Sequence, residues 1–307
     1  MTHARPGRRS LAVPALLLAN VLLACGPLLV RLASSESGVG PVAAGMWRLA
    51  LALPVMMAAT YARREVPPLP RSTVTLMVAL AGLAFAADLG FWHVGILHTR
   101  LANATLFGNV TALLFPLYGF LVARAWPRAR QWLALAFAGC GLVLLLGRSY
   151  ELSSRYLLGD LFCLLAGLCY TLYLIVLDRV RGGIGPFATL ALASIGGAPV
   201  LLLFAWGLGE TIWPHVWWPL VALSIGSQIL GQSLILYAIA RVPPLGVGLM
   251  LLVQPIVSAA TGWLVYGEAL GAADALGALC VVTAVLLVRE TREKALPAAP
   301  SGLNPVP

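Results

Sequence analysis

The chain has 307 residues, of which 60% are apolar and 10% charged, with a net charge of +9 and a mean hydropathy of +0.92. Soluble domains carry about a quarter of their residues as charges, so this composition excludes a soluble globular protein and defines an all-α polytopic membrane protein. The arginines stand singly or in small groups between apolar runs rather than on one face, which argues against a nucleic-acid partner. Five cysteines, all inside apolar runs and none in a C-x-x-C pair, offer neither a disulfide framework nor a metal site, and no cofactor is implied.

A spanning helix needs about 20 apolar residues to cross about 30 Å of hydrocarbon. Ten segments qualify in chain order: Leu11 to Leu32, Pro41 to Tyr61, Thr73 to Leu97, Leu101 to Ala123, Trp132 to Gly147, Leu157 to Leu177, Pro186 to Leu208, Trp217 to Ile239, Leu245 to Tyr266 and Leu270 to Val288. Prolines 27, 54, 116, 199 and 255 lie inside these runs and predict kinks. With both termini cytoplasmic, fifteen Arg and Lys fall on the inside and five (Arg31, Arg48, Arg100, Arg148, Arg155) on the other side, so the positive-inside rule places both ends in the cytoplasm. The apolar run after Arg8 and Arg9 continues past Cys25, so it reads as a first span and not as a cleaved signal. The Arg-rich, Lys-poor composition suggests a bacterial chain, and hence the inner membrane.

A weak duplication recurs at an offset near 144. Gly38-Val39-Gly40-Pro41-Val42-Ala43 aligns with Gly183-Ile184-Gly185-Pro186-Phe187-Ala188, Pro54 with Pro199, and Gly119, Leu121 and Val122 with Gly262, Leu264 and Val265. Each copy holds five spans, an odd number, so the second enters the membrane from the opposite side. The expected architecture is ten transmembrane helices in two inverted five-helix repeats, an arrangement used by secondary transporters. The expected boundaries are a cytoplasmic segment 1–10, a first repeat 11–147, an outer linker 148–156, a second repeat 157–288 and a disordered cytoplasmic tail 289–307.

Several residues stand in a recognisable order: Gln254-Pro255 with Tyr266-Gly267-Glu268, Gly159-Asp160, Arg48, and the series Asp88, Trp92-His93, Thr99 and Ala102-Asn103-Ala104-Thr105. In these the chain resembles the EamA-like branch of the drug/metabolite transporter superfamily, across nearly the whole of Leu11 to Val288. The resemblance implies ten helices, two EamA-type repeats and a transporter of small metabolites, with Pro255 and Glu268 as gating or motif residues. The first repeat departs from the pattern: Ala112 stands where the family has proline, and Arg124-Ala125 where it has glycine-glutamate.

An ionisable residue inside a membrane is a functional candidate by default, because burying it costs roughly 2.5–3.5 kcal/mol on insertion scales. Asp88 and Arg48 are two such groups, set about 15 Å and 10 Å from the same end of neighbouring spans, so a pair between them is geometrically plausible. Trp92 shares the face of Asp88, while His93 continues a small-residue stripe (Gly82, Ala86, Gly90) suited to packing, with a proton relay as the alternative. Thr105 and Asn109, Tyr170 and Tyr173, and Gln228, Gln232 and Gln254 complete the candidate substrate or proton site; the glutamines alternatively bridge helices. Opposite charges facing amides suit a zwitterion such as an amino acid. The expected function is alternating-access export or exchange of a small polar or amphipathic metabolite, coupled or not to protons, in a lipid bilayer, with a homodimer left open. A membrane-embedded enzyme acting on a lipid-linked substrate is the alternative class, weakened by the lack of any metal- or phosphate-binding motif.

Overall fold

A computed structural model describes residues 11–65, 73–150, 154–180, 184–267 and 271–289. In chain order the helices are α1 (Ala12–Glu36, in pieces Ala12–Ala24 and Gly26–Glu36), α2 (Pro41–Ala62), α3 (Thr73–His98) and α4 (pieces Leu101–Gly108 and Thr111–Ala123). They continue with α5 (Ala129–Tyr150), α6 (Ser154–Val180), α7 (Pro186–Gly207), α8 (Trp218–Ile239), α9 (Pro244–Tyr266, in pieces Pro244–Leu251 and Val253–Tyr266) and α10 (Ala272–Arg289). No strand occurs among the described residues. Seven helices, α1, α2, α3, α6, α7, α8 and α9, are long and apolar enough to cross a membrane. The fourth expected span is interrupted, and the fifth and tenth lie against each other beside the core as α5 and α10.

Exposure is distributed inside out. Leu161, Leu165, Leu168 and Leu172 on α6 are exposed at spacings of three and four residues, as are Leu76, Leu80 and Leu83 on α3. A helix hydrophobic on its outer stripe needs an apolar solvent there. Meanwhile Arg48, Asp88, His93, Asn20 and Gln228 are buried. The protein is a multi-pass membrane protein whose polar groups face its own interior.

Close packing follows the small residues. A side chain at Gly82 would meet the Ala193 backbone, and one at Gly95 would meet Cys163 and the Gly159 carbonyl, so α3 lies flush on α7 and α6. The α9 helix approaches α4 in the same way: Gly248 faces Pro116 and the Ala112 carbonyl, and Gly119 faces Pro244. Pro116 lacks the N–H that would bond Ala112, and the freed carbonyl is covered by this contact.

The prolines do not all interrupt their helices. The breaks at Cys25 and Leu252 fall two and three residues ahead of Pro27 and Pro255, where the missing N–H removes a bond to the preceding turn. In α4 the break lies at Asn109 and Val110, ahead of Pro116, while α2 and α7 continue through Pro54 and Pro199.

Helices α2 and α7 share one design. Each starts Gly-Pro, with Pro at the first helical position where its missing N–H is harmless. Each ends in a Schellman turn. Arg64 (φ 52°) donates to Tyr61 and Glu65 to Thr60 after α2; Gly209 (φ 68°) donates to Trp206 and Glu210 to Ala205 after α7. The helices are antiparallel, since the start of each meets the end of the other. Glu210 accepts the Val42 and Ala43 N–H groups of α2 at 3.2 and 2.8 Å, and Glu65 accepts the Ala188 N–H of α7 at 2.8 Å. Burial raises the Glu210 carboxyl above its ordinary pKa, and the two N–H bonds act against that rise.

Candidate functional site

A cavity lies near the middle of the helices, with walls from both halves of the chain. Arg48 of α2 and Phe85, Asp88, Leu89 and Trp92 of α3 form one wall, and Leu23 of α1 and Thr105, Gly108 and Asn109 of α4 another. Tyr170 of α6, Gln232 of α8 and Gln254 of α9 close it from the second half. The enclosed volume is about 50 Å³, room for a few waters. Eight of the eleven residues expected to bind substrate or protons border this space: Arg48, Asp88, Trp92, Thr105, Asn109, Tyr170, Gln232 and Gln254.

Arg48 and Asp88 share the cavity. They do not form the expected ion pair: among the described residues none joins them, and the Arg48 Nε donates instead to Gln228 Oε1 at 3.2 Å. The guanidinium also lies 5.8 Å from the centroid of the Phe85 ring. Arg48 and Asp88 thus border one cavity with no ion pair between them.

Gln228 sits in the segment Ser224–Gln232 of α8, which is π-helical. Ser224 Oγ in the same segment donates to the Arg48 carbonyl at 3.0 Å, which ties the widened turns to α2. Gln228 holds Arg48 from behind, while Gln232 reaches the cavity and donates to the Tyr170 hydroxyl at 3.5 Å.

Beneath the charged pair, Phe85 stacks on Tyr173 with centroids 4.5 Å apart and planes inclined by 17°. Tyr173 is fully buried behind Phe85 and does not border the cavity. His93 also lies outside it: its Nδ1 donates to the Pro41 carbonyl at 2.9 Å and its ring packs on Gly45, which fastens α3 to the first turn of α2. Trp92 lies against Gly26 and Gly108, at the interruptions of α1 and α4, and its Nε1 donates to the Ala104 carbonyl at 3.1 Å.

Asn20 is the residue that sequence reasoning missed. It is fully buried; its Nδ2 donates to the Leu16 carbonyl and its Oδ1 accepts from Gln254 Nε2, both at 2.7 Å. Gln254 Oε1 in turn accepts from Asn109 Nδ2 at 3.4 Å. Three interrupted helices are therefore joined by three amides at the cavity edge. The available signal was that Asn20 is the one amide in the run Leu11 to Leu32.

The motif residues Thr99 and Asp160 meet away from the cavity. Thr99 Oγ1 donates to Asp160 Oδ1 at 2.6 Å, and Arg31 Nη2 donates to the Thr99 carbonyl at 2.8 Å while its guanidinium covers the Tyr266 ring at 4.9 Å. Pro255 lies in the first turn of the second piece of α9, beside Gln254, and Glu268 lies outside the described residues. No group of His, Cys, Asp and Glu that could hold a metal occurs among the described residues.

Interrupted helices thus surround a buried polar cavity in a multi-pass membrane protein, and comparison with known proteins shows what the chain is similar to. Residues 157–289 match the EamA-like transporter family, in line with the resemblance drawn from the motifs of the chain. The chain is 31% identical over 181 residues to the threonine/homoserine exporter RhtA of Salmonella typhimurium (strain SL1344), and 32% over 167 residues to RhtA of Escherichia coli (strain K12). These matches take in 58% and 53% of the chain and 60% and 56% of the exporters, so the chain spans less than two thirds of these exporters. An uncharacterized transporter of Archaeoglobus fulgidus is 22% identical over 278 residues, 89% of this chain and 96% of that one. A solved crystal structure shares the fold, with a TM-score of 0.70 at 18% identity over 93% of this chain and 99% of the other. The relatives are transporters, not enzymes, which removes support from the enzyme alternative.

Proposed function

We propose that the protein is a secondary exporter or exchanger of small amino acids in a bacterial inner membrane, working by alternating access. The carrying observation is the separation of Arg48 from Asp88 across one cavity. Arg48 binds the substrate carboxylate, Asp88 its ammonium group, and Asn109, Gln232 and Gln254 receive the polar side chain. The known activity of the RhtA relatives supports threonine-like substrates. The cavity holds only a few waters, so admitting an amino acid requires helices to part, and the breaks at Cys25, Asn109 and Leu252 supply places for them to bend.

The reading includes ten transmembrane helices in two inverted repeats, 11–147 and 157–288, with both termini cytoplasmic. Its support is the match between α2 and α7. Their bounds, Pro41–Ala62 and Pro186–Gly207, differ by the same 145 residues at both ends, and so do their Schellman turns and the two capping glutamates. Asp88 has no counterpart in the second half, where Gly231 takes its place, so a proton exchanged for substrate would be carried there. The test is export from cells that lack their own threonine and homoserine exporters. Expression of the protein should raise amino acids of this class in the medium and tolerance to added homoserine. Unchanged medium and tolerance, with the protein present in the membrane, would contradict the reading.

A further inference from the structure

Among the described residues, the first turns of helices α2 and α7 are each closed by a carboxylate from the other half of the chain. Glu210 seals the start of α2 and Glu65 the start of α7. The positions differ by 145 residues, the offset that also relates Gly40 to Gly185. A side chain at either glycine would overlap the partner carboxylate, so the glycines are what allow each glutamate to reach the helix. Each carboxylate lies on the positive end of a helix dipole, where an acceptor contributes about 1 kcal/mol. The end near Glu210 has further ties: Gly40 N–H to Thr211 O at 3.0 Å, His215 N–H to Ser37 O at 3.0 Å, and Trp47 Nε1 to Ile212 O at 2.7 Å. Both clamps are closed in the same structure, one at each end of the pair. The same two helices run unbroken through Pro54 and Pro199, whereas α1, α4 and α9 are interrupted beside the cavity.

We propose that α2 and α7 form one rigid antiparallel strut, clamped at both membrane faces at once by the exchanged carboxylates of Glu65 and Glu210, which stays closed through the transport cycle while the interrupted helices move around it. The cycle itself rests on the transport reading above. The competing arrangement is a pair of alternating latches, each opening as its face opens.

Two measurements decide between them. The first is amide hydrogen exchange on the full chain in nanodiscs, read at Val42 and Ala43 for one clamp and Ala188 for the other. A strut predicts protection at both ends in a single population. Glu210→Ala should speed exchange at the start of α2 about fivefold, the equivalent of one lost cap, and leave the start of α7 unchanged; Glu65→Ala should do the reverse. Two populations in the unaltered protein, or a variant that raises protection at the opposite end, would overturn the strut. The second replaces both clamps covalently with the pairs Gly40→Cys, Glu210→Cys and Gly185→Cys, Glu65→Cys, oxidised in liposomes beside unaltered protein treated alike. L-threonine counterflow should stay within about twofold of the reduced form; loss on oxidation with recovery in reductant would overturn the strut. Reduced protein that shows no counterflow of L-threonine would count against the transport reading alone, and the strut then stands or falls on the exchange pattern.

Discussion

Arg48 is held by its neighbours more than by its countercharge. The Gln228 bond at 3.2 Å and the nearby Phe85 ring hold the guanidinium, and Asp88 borders the same cavity without an ion pair to it. A buried hydrogen bond to a charged group is worth about 1.5–3 kcal/mol, so a double-mutant cycle between Arg48→Met and Gln228→Leu should show coupling of that order in detergent unfolding. The cycle between Arg48→Met and Asp88→Asn should show less, under about 1 kcal/mol; the reverse ranking would mean that the two charges meet directly. Asp88→Asn should lower gradient-driven flux at least tenfold while leaving solute exchange measurable, because exchange needs a site and driven flux also needs the proton. Equal driven flux in the variant would remove Asp88 from coupling. Polar residues in apolar runs were legible as candidates, since each costs free energy to bury. Their partners were not: Arg48 lies 180 residues from Gln228, and nothing local records that contact.

At the level of elements, most helices could be placed from hydropathy because burying backbone in hydrocarbon leaves few alternatives to helix. Their interruptions were less legible. Five prolines predicted kinks alike, yet α2 and α7 run on through theirs. The Ala112 carbonyl is covered by α9 at Gly248. A methyl group there would lie 2.7 Å from Pro116, so Gly248→Ala should lower stability by about 1–3 kcal/mol. Gly196→Ala on α7 has open space and should gain up to about 1 kcal/mol from helix propensity, so thermal unfolding of the two variants should shift in opposite directions. A shift of the same sign would mean that α4 and α9 are not packed at this distance. The π-helical stretch of α8 also escaped notice; its serines and glutamines suggested polar contacts but not a change of helical pitch.

The whole molecule sets two unbroken, mutually capped helices against interrupted ones around a charged cavity. The duplication was visible in the Gly-Pro starts of α2 and α7, but nothing local in the sequence joins Glu65 or Glu210 to the helix each of them caps. Hydropathy carries no information about such crossed contacts. The central claim is that the cavity between Arg48 and Asp88 carries an amino acid across the bilayer. Its most direct test is counterflow of labelled L-threonine into liposomes preloaded with unlabelled L-threonine, for the unaltered protein and for Arg48→Ala. Saturable uptake that falls to the level of empty liposomes in the variant is the predicted result. Uptake by the unaltered protein no faster than empty liposomes, or uptake that Arg48→Ala leaves intact, would contradict it.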